Sequence, residues 1–174
     1  MKKIKKYLCV VFTLTFFITA SNLTLAYELT NYYLANKSTQ YAWGDNISNV
    51  ILKNGWLSAV AAWNAEGMNI GYNQNSQNKL EARYRQASAE NGMAIVTPYS
   101  TSGRSTVKSF VCYMNASKSW TSILAQSTGT HEIGHVIGLD HSYMNRAIMY
   151  DGRNRESIYT VQQDDRNGLR AIYN

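Results

Sequence analysis

The chain has 174 residues, 45% of them hydrophobic, a formal charge of +6 and one proline. That length suits one domain with its own core, and no repeat, charge run or proline-rich linker marks a second. With only Cys9 and Cys112, and Cys9 inside a segment expected to be removed, an intrachain disulfide framework is excluded.

In chain order, Met1 to Lys6 carries four lysines, and Tyr7 to Ala20 is an apolar run too short to span a bilayer comfortably. Thr24-Leu25-Ala26 offers small residues where a signal peptidase reads. Residues 1–26 are therefore expected to be a signal peptide and 27–174 a single secreted, extracellular domain with no stable membrane anchor after cleavage. Losing four lysines and no acid lowers the formal charge to about +2, which excludes a strongly basic nucleic-acid binder.

Asn31 to Ala35 reads as a short first strand. Ile47 to Ala65 has apolar residues near helical spacing, with Asp45 or Asn46 as cap and Gly67 as terminator. Gly55 inside that helix costs stability without forbidding it. Met68 to Tyr72 is a strand, and Leu80 to Arg85 alternates apolar and charged residues as a half-buried strand does. Gly92 to Thr97 is an apolar strand that Pro98 stops, and Thr106 to Met114 is another strand. The polar stretches 73–78 and 100–105 read as loops. Ser119 to Ile137 is expected to be a helix, and Val161 to Tyr173 a final helix with Thr160 as cap.

The helix ending at Ile137 carries the chemistry. Residues 131 to 141 read His-Glu-x-x-His-x-x-Gly-x-x-His, and these are the only histidines in the chain. Residues four apart share a helix face, so His131 and His135 can hold one ion between two imidazoles. Gly138 can end the helix in a left-handed conformation and deliver His141 as a third ligand. Glu132, one residue off the ligand face, can reach a water without displacing it. Three protein ligands and an open fourth position describe a catalytic zinc site rather than a structural one. A chance match to the whole pattern is on the order of one in 10^5 for a chain this size.

This stretch resembles the metzincin clan of zinc peptidases and, within it, the matrixins. The clan's methionine turn has its counterpart in Ala147-Ile148-Met149-Tyr150, where Met149 would form an apolar floor under the metal. Gln163 to Leu169 resembles the family's Asp-Asp-x-x-Gly helix start, although paired acids in a first turn also suit the helix dipole. The resemblance implies an α+β catalytic domain: a twisted mixed sheet of about four to five strands, two long helices and a C-terminal helix. It implies a zinc-dependent endopeptidase acting on protein or peptide substrates, with one catalytic Zn2+ on His131, His135 and His141 and Glu132 as general base. Gly92 to Pro98 resembles the edge strand bordering the matrixin cleft, so main-chain groups around Ala94 and Ile95 are expected to align substrate. Tyr150 to Tyr159 would form the pocket's outer wall, with Tyr150 beside substrate. In that segment Arg153 and Arg155 read as solvated loop charges; one pointing inward would favour polar or acidic side chains just after the scissile bond.

The chain departs from the family pattern at several points. It has no histidine to spare for a second zinc, no acidic residue between Glu90 and Glu132 for calcium loops, no cysteine-switch segment, and Asp151 where a proline usually follows the methionine-turn tyrosine. Calcium dependence stays open, since backbone carbonyls can bind it. The expected protein is a monomer. The rival reading is a zinc-stabilised secreted binding or toxin module without efficient turnover, for which an intact Glu132 would serve no purpose.

Overall fold

Each long helix starts at a side-chain cap. The Asn49 carboxamide oxygen accepts from the Ile51 and Leu52 N–H groups, so helix α1 runs Val50–Asn64. That start is later than Asp45 or Asn46 would give, because Asn46 takes φ 55 inside the preceding turn. The Thr121 hydroxyl accepts from the Leu124 N–H and opens helix α2, Ser122–Ile137. Helix α3 runs Gln163–Tyr173 and is fixed from inside: its Asp165 carboxylate accepts the Gln162 N–H at 2.8 Å, so Thr160 is not the cap. The computed structural model describes residues 26–174; the expected signal segment, Ala26 apart, lies outside the described residues.

The strands are β1 (Tyr32–Tyr33), β2 (Ser38–Trp43), β3 (Asn69–Tyr72), β4 (Lys79–Arg83), β5 (Gly92–Pro98) and β6 (Ser105–Asn115). They form one mixed six-stranded sheet in which β2 pairs in parallel with β3 and β4, β4 and β1 pair in parallel with β6, and β5 pairs antiparallel with β6. Parallel neighbours need a crossover, and α1 supplies it between β2 and β3. The fold is α+β as expected, with one strand more than the sequence suggested. That strand is β2, whose polar start Ser38-Thr39-Gln40 hides its buried end, Tyr41-Ala42. Strand β4 also differs from a half-buried alternation. Leu80, Glu81 and Ala82 are all buried and Tyr84 lies exposed beyond the strand end. The Glu81 carboxylate is tolerated there because it pairs with Arg83.

The core lies between the sheet and the two long helices. Trp56 and Trp63 on α1 are fully buried, and each indole N–H finds a carbonyl, Glu81 O at 3.1 Å and Thr130 O at 2.8 Å. Helices α1 and α2 approach so closely that glycines are required between them. A Cβ on Gly55 would lie 2.5 Å from the Ala125 Cβ and 2.9 Å from its carbonyl carbon. A Cβ on Gly129 would meet Met114, Ala59 and Trp56 at 2.9 to 3.1 Å.

Two effects oppose each other at Gly55. Alanine is favoured over glycine in a helix interior by about 1 kcal/mol, whereas forcing a methyl into a closed helix contact costs roughly 1–3 kcal/mol. The obstacle is partly Ala125 backbone, which cannot rotate away. Gly55→Ala is therefore expected to destabilise the domain by up to about 2 kcal/mol and lower Tm by up to several degrees. Thermal unfolding measures it, and an increase in Tm would show that the two helices can separate freely.

Candidate metal centre

Helix α2 carries His131 and His135 one turn apart, on a segment buried from Ser127 to Gly134. Gly138 takes φ 117, its N–H returns to the Gly134 and His135 carbonyls, and an added Cβ there would sit 2.6 Å from the Tyr32 carbonyl oxygen. The chain turns off the helix at this point and brings His141 alongside. The His141 ring centroid lies 5.3 Å from that of His131 and 4.8 Å from that of His135. One ring nitrogen from each of the three histidines falls within 4.8 Å of the others.

The ring nitrogens are sorted by backbone carbonyls. His131 Nδ1 lies 2.8 Å from the Ile148 oxygen and His135 Nδ1 lies 2.9 Å from the Leu139 oxygen. A carbonyl can only accept, so both protons sit on Nδ1 and both Nε2 atoms carry lone pairs. Those Nε2 atoms face each other at 3.2 Å. Two lone pairs at that distance repel unless a cation lies between them. Two nitrogens about 2.0–2.1 Å from one tetrahedral zinc stand roughly 3.3–3.4 Å apart, so the donor set fits that ion. Arg153 Nη1 also stands 3.0 Å from His131 Nδ1. Since Nδ1 already donates to Ile148, that approach sets two donors against each other, and the bond Nη1 makes is to the Tyr150 carbonyl at 3.1 Å. Burial, and then the Arg153 charge, holds the His131 pKa well below its ordinary value, and burial lowers that of His135. Both imidazoles are thereby kept in the neutral form a metal requires.

Glu132 lies beside the triad and is itself buried. Burial pushes its carboxyl up to about 8, with the Arg153 and Arg155 guanidinium groups pulling the other way. A cation between the histidines would add to that downward pull. A Cβ on Gly92 would sit 3.1 Å from the Glu132 Oε1 and 2.8 Å from the Thr128 methyl, so this strand can pass the carboxylate only as glycine.

The floor is Met149, 2% exposed, whose sulfur packs so close to Gly134 that an added Cβ would lie 2.3 Å from it. Its position is set from α3. The buried Asp165 carboxylate accepts the Ile148 N–H at 2.9 Å and the Met149 N–H at 3.1 Å, and Asp164 accepts the Ser142 hydroxyl at 2.6 Å. Burial raises the Asp165 pKa, and these amides, with that of Gln162, oppose the rise. The two acids thus do more than complement the helix dipole: they tie Ser142, next to His141, and the methionine turn at Ile148 and Met149 to the last helix.

The segment after Met149 is stitched to α2. The Ser127 hydroxyl donates to the Ile158 carbonyl at 2.6 Å and the Thr130 hydroxyl reaches the Tyr159 carbonyl at 3.2 Å. Arg153, expected to be solvated, is 4% exposed. Its Nε donates to the Ser127 hydroxyl at 3.3 Å and its Nη2 to the Ser127 carbonyl at 3.1 Å. A surface loop cannot be told from a buried wall by composition, and the arginine is drawn in by carbonyls of α2 that only the fold assembles. The run Ser127-Thr128-Gly129-Thr130 just before His131 is the one sequence sign that this helix face meets polar groups.

These elements enclose a cleft of about 430 Å³. His131, His135, His141 and Glu132 line it together with Gly92, Met93 and Ala94 of β5 and with Thr128, Arg153 and Arg155. Strand β5 pairs only with β6 among the described strands, so its other edge is open. The Ile95 side chain is 44% exposed and does not line the cleft. Tyr150 is half-buried, lies against Gly152 and also stays out of the lining, contributing its carbonyl to Arg153.

Comparison with known proteins agrees with this geometry. Residues 56–174, which hold all the elements from α1 to α3 except the first turns of α1, match the family described as Matrixin. A protein named Metalloendoproteinase 1 from Glycine max is 45% identical over 49 residues, which is 28% of this chain and 16% of that relative. The match thus spans about a sixth of the relative's length. The chain belongs to the matrixin family, and its three-histidine group is that of the family's catalytic zinc.

Proposed function

We propose that the protein is a secreted zinc-dependent endopeptidase that hydrolyses peptide bonds of extracellular proteins, made with a signal peptide over residues 1–26 and acting as the monomeric domain 27–174. The observation that carries the reading is the pair of Nε2 lone pairs facing each other at 3.2 Å with a buried carboxylate, Glu132, at the same cleft. His131, His135 and His141 would hold the ion. A bound zinc supplies Lewis acidity towards a carbonyl and brings the pKa of water towards about 7. Glu132 takes the proton of the attacking water on its carboxylate and hands it to the leaving amine. The open edge of β5 at Ala94 and Ile95 offers main-chain donors and acceptors to an extended peptide, which adds as one more strand. Tyr150 acts on substrate indirectly, through the wall that its carbonyl helps to hold. Met149 supports the ligands from below. No helix among the described residues is long and apolar enough to cross a membrane.

Glu132→Ala is expected to cut cleavage of a casein or peptide substrate by at least about a hundredfold while zinc content and Tm stay at wild-type values. Activity within tenfold of wild type would remove Glu132 from the role of base. Dialysed protein is expected to hold one zinc per chain by metal analysis. His141→Ala should lose tight binding with the helix intact by circular dichroism. Undiminished zinc in that variant would take His141 out of the ligand set.

A further inference from the structure

We propose that the cleft beside the metal centre selects an acidic side chain, Asp or Glu, on the residue that follows the scissile bond, and that Arg153 and Arg155 recognise its carboxylate. The inference rests on the peptidase reading above and adds a substrate class to it.

Arg153 is a buried guanidinium with no carboxylate in ion-pair distance. Its hydrogen bonds go to the Ser127 hydroxyl and to two backbone carbonyls, those of Ser127 and Tyr150. Carbonyls satisfy N–H groups but leave the net charge uncompensated, and a buried charge without a counter-charge is costly. Arg155 lines the same wall; its one ion pair is to Asp151 at 3.4 Å on the exposed side, and its Nε is buried without a partner. The Thr128 hydroxyl, 2% exposed, is also without a partner and lines the same cleft. Around one cavity stand an arginine with no carboxylate partner, a second paired only with the exposed Asp151, and two buried donors, Arg155 Nε and the Thr128 hydroxyl, without an acceptor.

The acids at this cleft do not fill that need. Glu90 and Asp151 are exposed, and Glu132 is committed to the chemistry. Geometry also fixes which substrate residue is read. The leaving amine must lie within reach of Glu132, and the residue that carries it follows the scissile bond. On α2 Thr128 lies one turn before Glu132, away from His135, and Arg153 is hydrogen-bonded to the adjacent Ser127; both line the cleft together with Arg155. A carboxylate there gains charge-assisted hydrogen bonds that a neutral isostere cannot match.

The test uses zinc-loaded protein and three peptides identical except for Glu, Gln or Leu after the scissile bond. The Glu peptide is expected to exceed both others in kcat/KM by about tenfold or more. In Arg155→Gln and Arg153→Gln the Glu-to-Gln ratio should fall towards one. Because the ratio is internal to each variant, partial unfolding of Arg153→Gln does not mimic the result, and Arg155→Gln removes no bond to the helix. Cleavage of all three peptides without an acidic preference, or a ratio unchanged in both variants, overturns this inference and leaves the peptidase reading standing. Cleavage of none refutes the peptidase reading instead. Calorimetry then decides the pocket by itself: zinc-loaded Glu132→Ala protein should bind a short peptide with N-terminal Glu about tenfold more tightly than its Gln counterpart, and equal affinities overturn the proposal.

Discussion

The structure depends on two unprotonated nitrogens held face to face. His131 and His135 could relieve their 3.2 Å Nε2 contact by rotating, or by moving a proton to one Nε2. Both escapes are closed because each Nδ1 is engaged by a backbone carbonyl, Ile148 in the methionine turn and Leu139 just past the helix end. The repulsion is therefore built in, and a cation is what resolves it. Everything around the site serves to hold those two carbonyls. Asp165 fixes the Ile148 and Met149 amides, and Gly138 sets the turn that places Leu139.

That arrangement makes the last helix part of the site although it touches no ligand. Asp164 and Asp165 reach from α3 to Ser142, ahead of the methionine turn, and to Ile148 and Met149 within it. A buried carboxylate is costly unless its lone pairs are used, and Asp165 uses them on three main-chain N–H groups. The same logic runs in reverse at Arg153. There the donors outnumber the charges that could answer them, and the imbalance sits at the wall of the cleft rather than in the core.

Close packing sets the third dimension of the site. Gly55 and Gly129 let α1 and α2 meet nearly backbone to backbone, Gly134 admits the Met149 sulfur beneath the histidines, and Gly92 lets β5 pass Glu132. Each exchanges helix or strand propensity for a contact, and together they bring α1, β5 and the methionine turn up against α2 around the Glu132 carboxylate and the histidines.

The sequence by itself determined the metal chemistry, the two long helices, the final helix and five of the six strands, because these rest on local spacing: histidines one turn apart, a glycine past a helix end, apolar residues at helical or strand period. It left Asp164 and Asp165 with two readings and placed Arg153 in solvent, since a charge on a loop is by default hydrated. It missed β2, whose polar first half carries no period, and it read β4 as one-sided although both faces are covered. Only the tertiary structure decided these points. Which carbonyls surround a guanidinium, which amides surround a carboxylate and whether a strand has one covered face or two depend on segments 16 to 32 residues apart in the chain, and no local pattern records them.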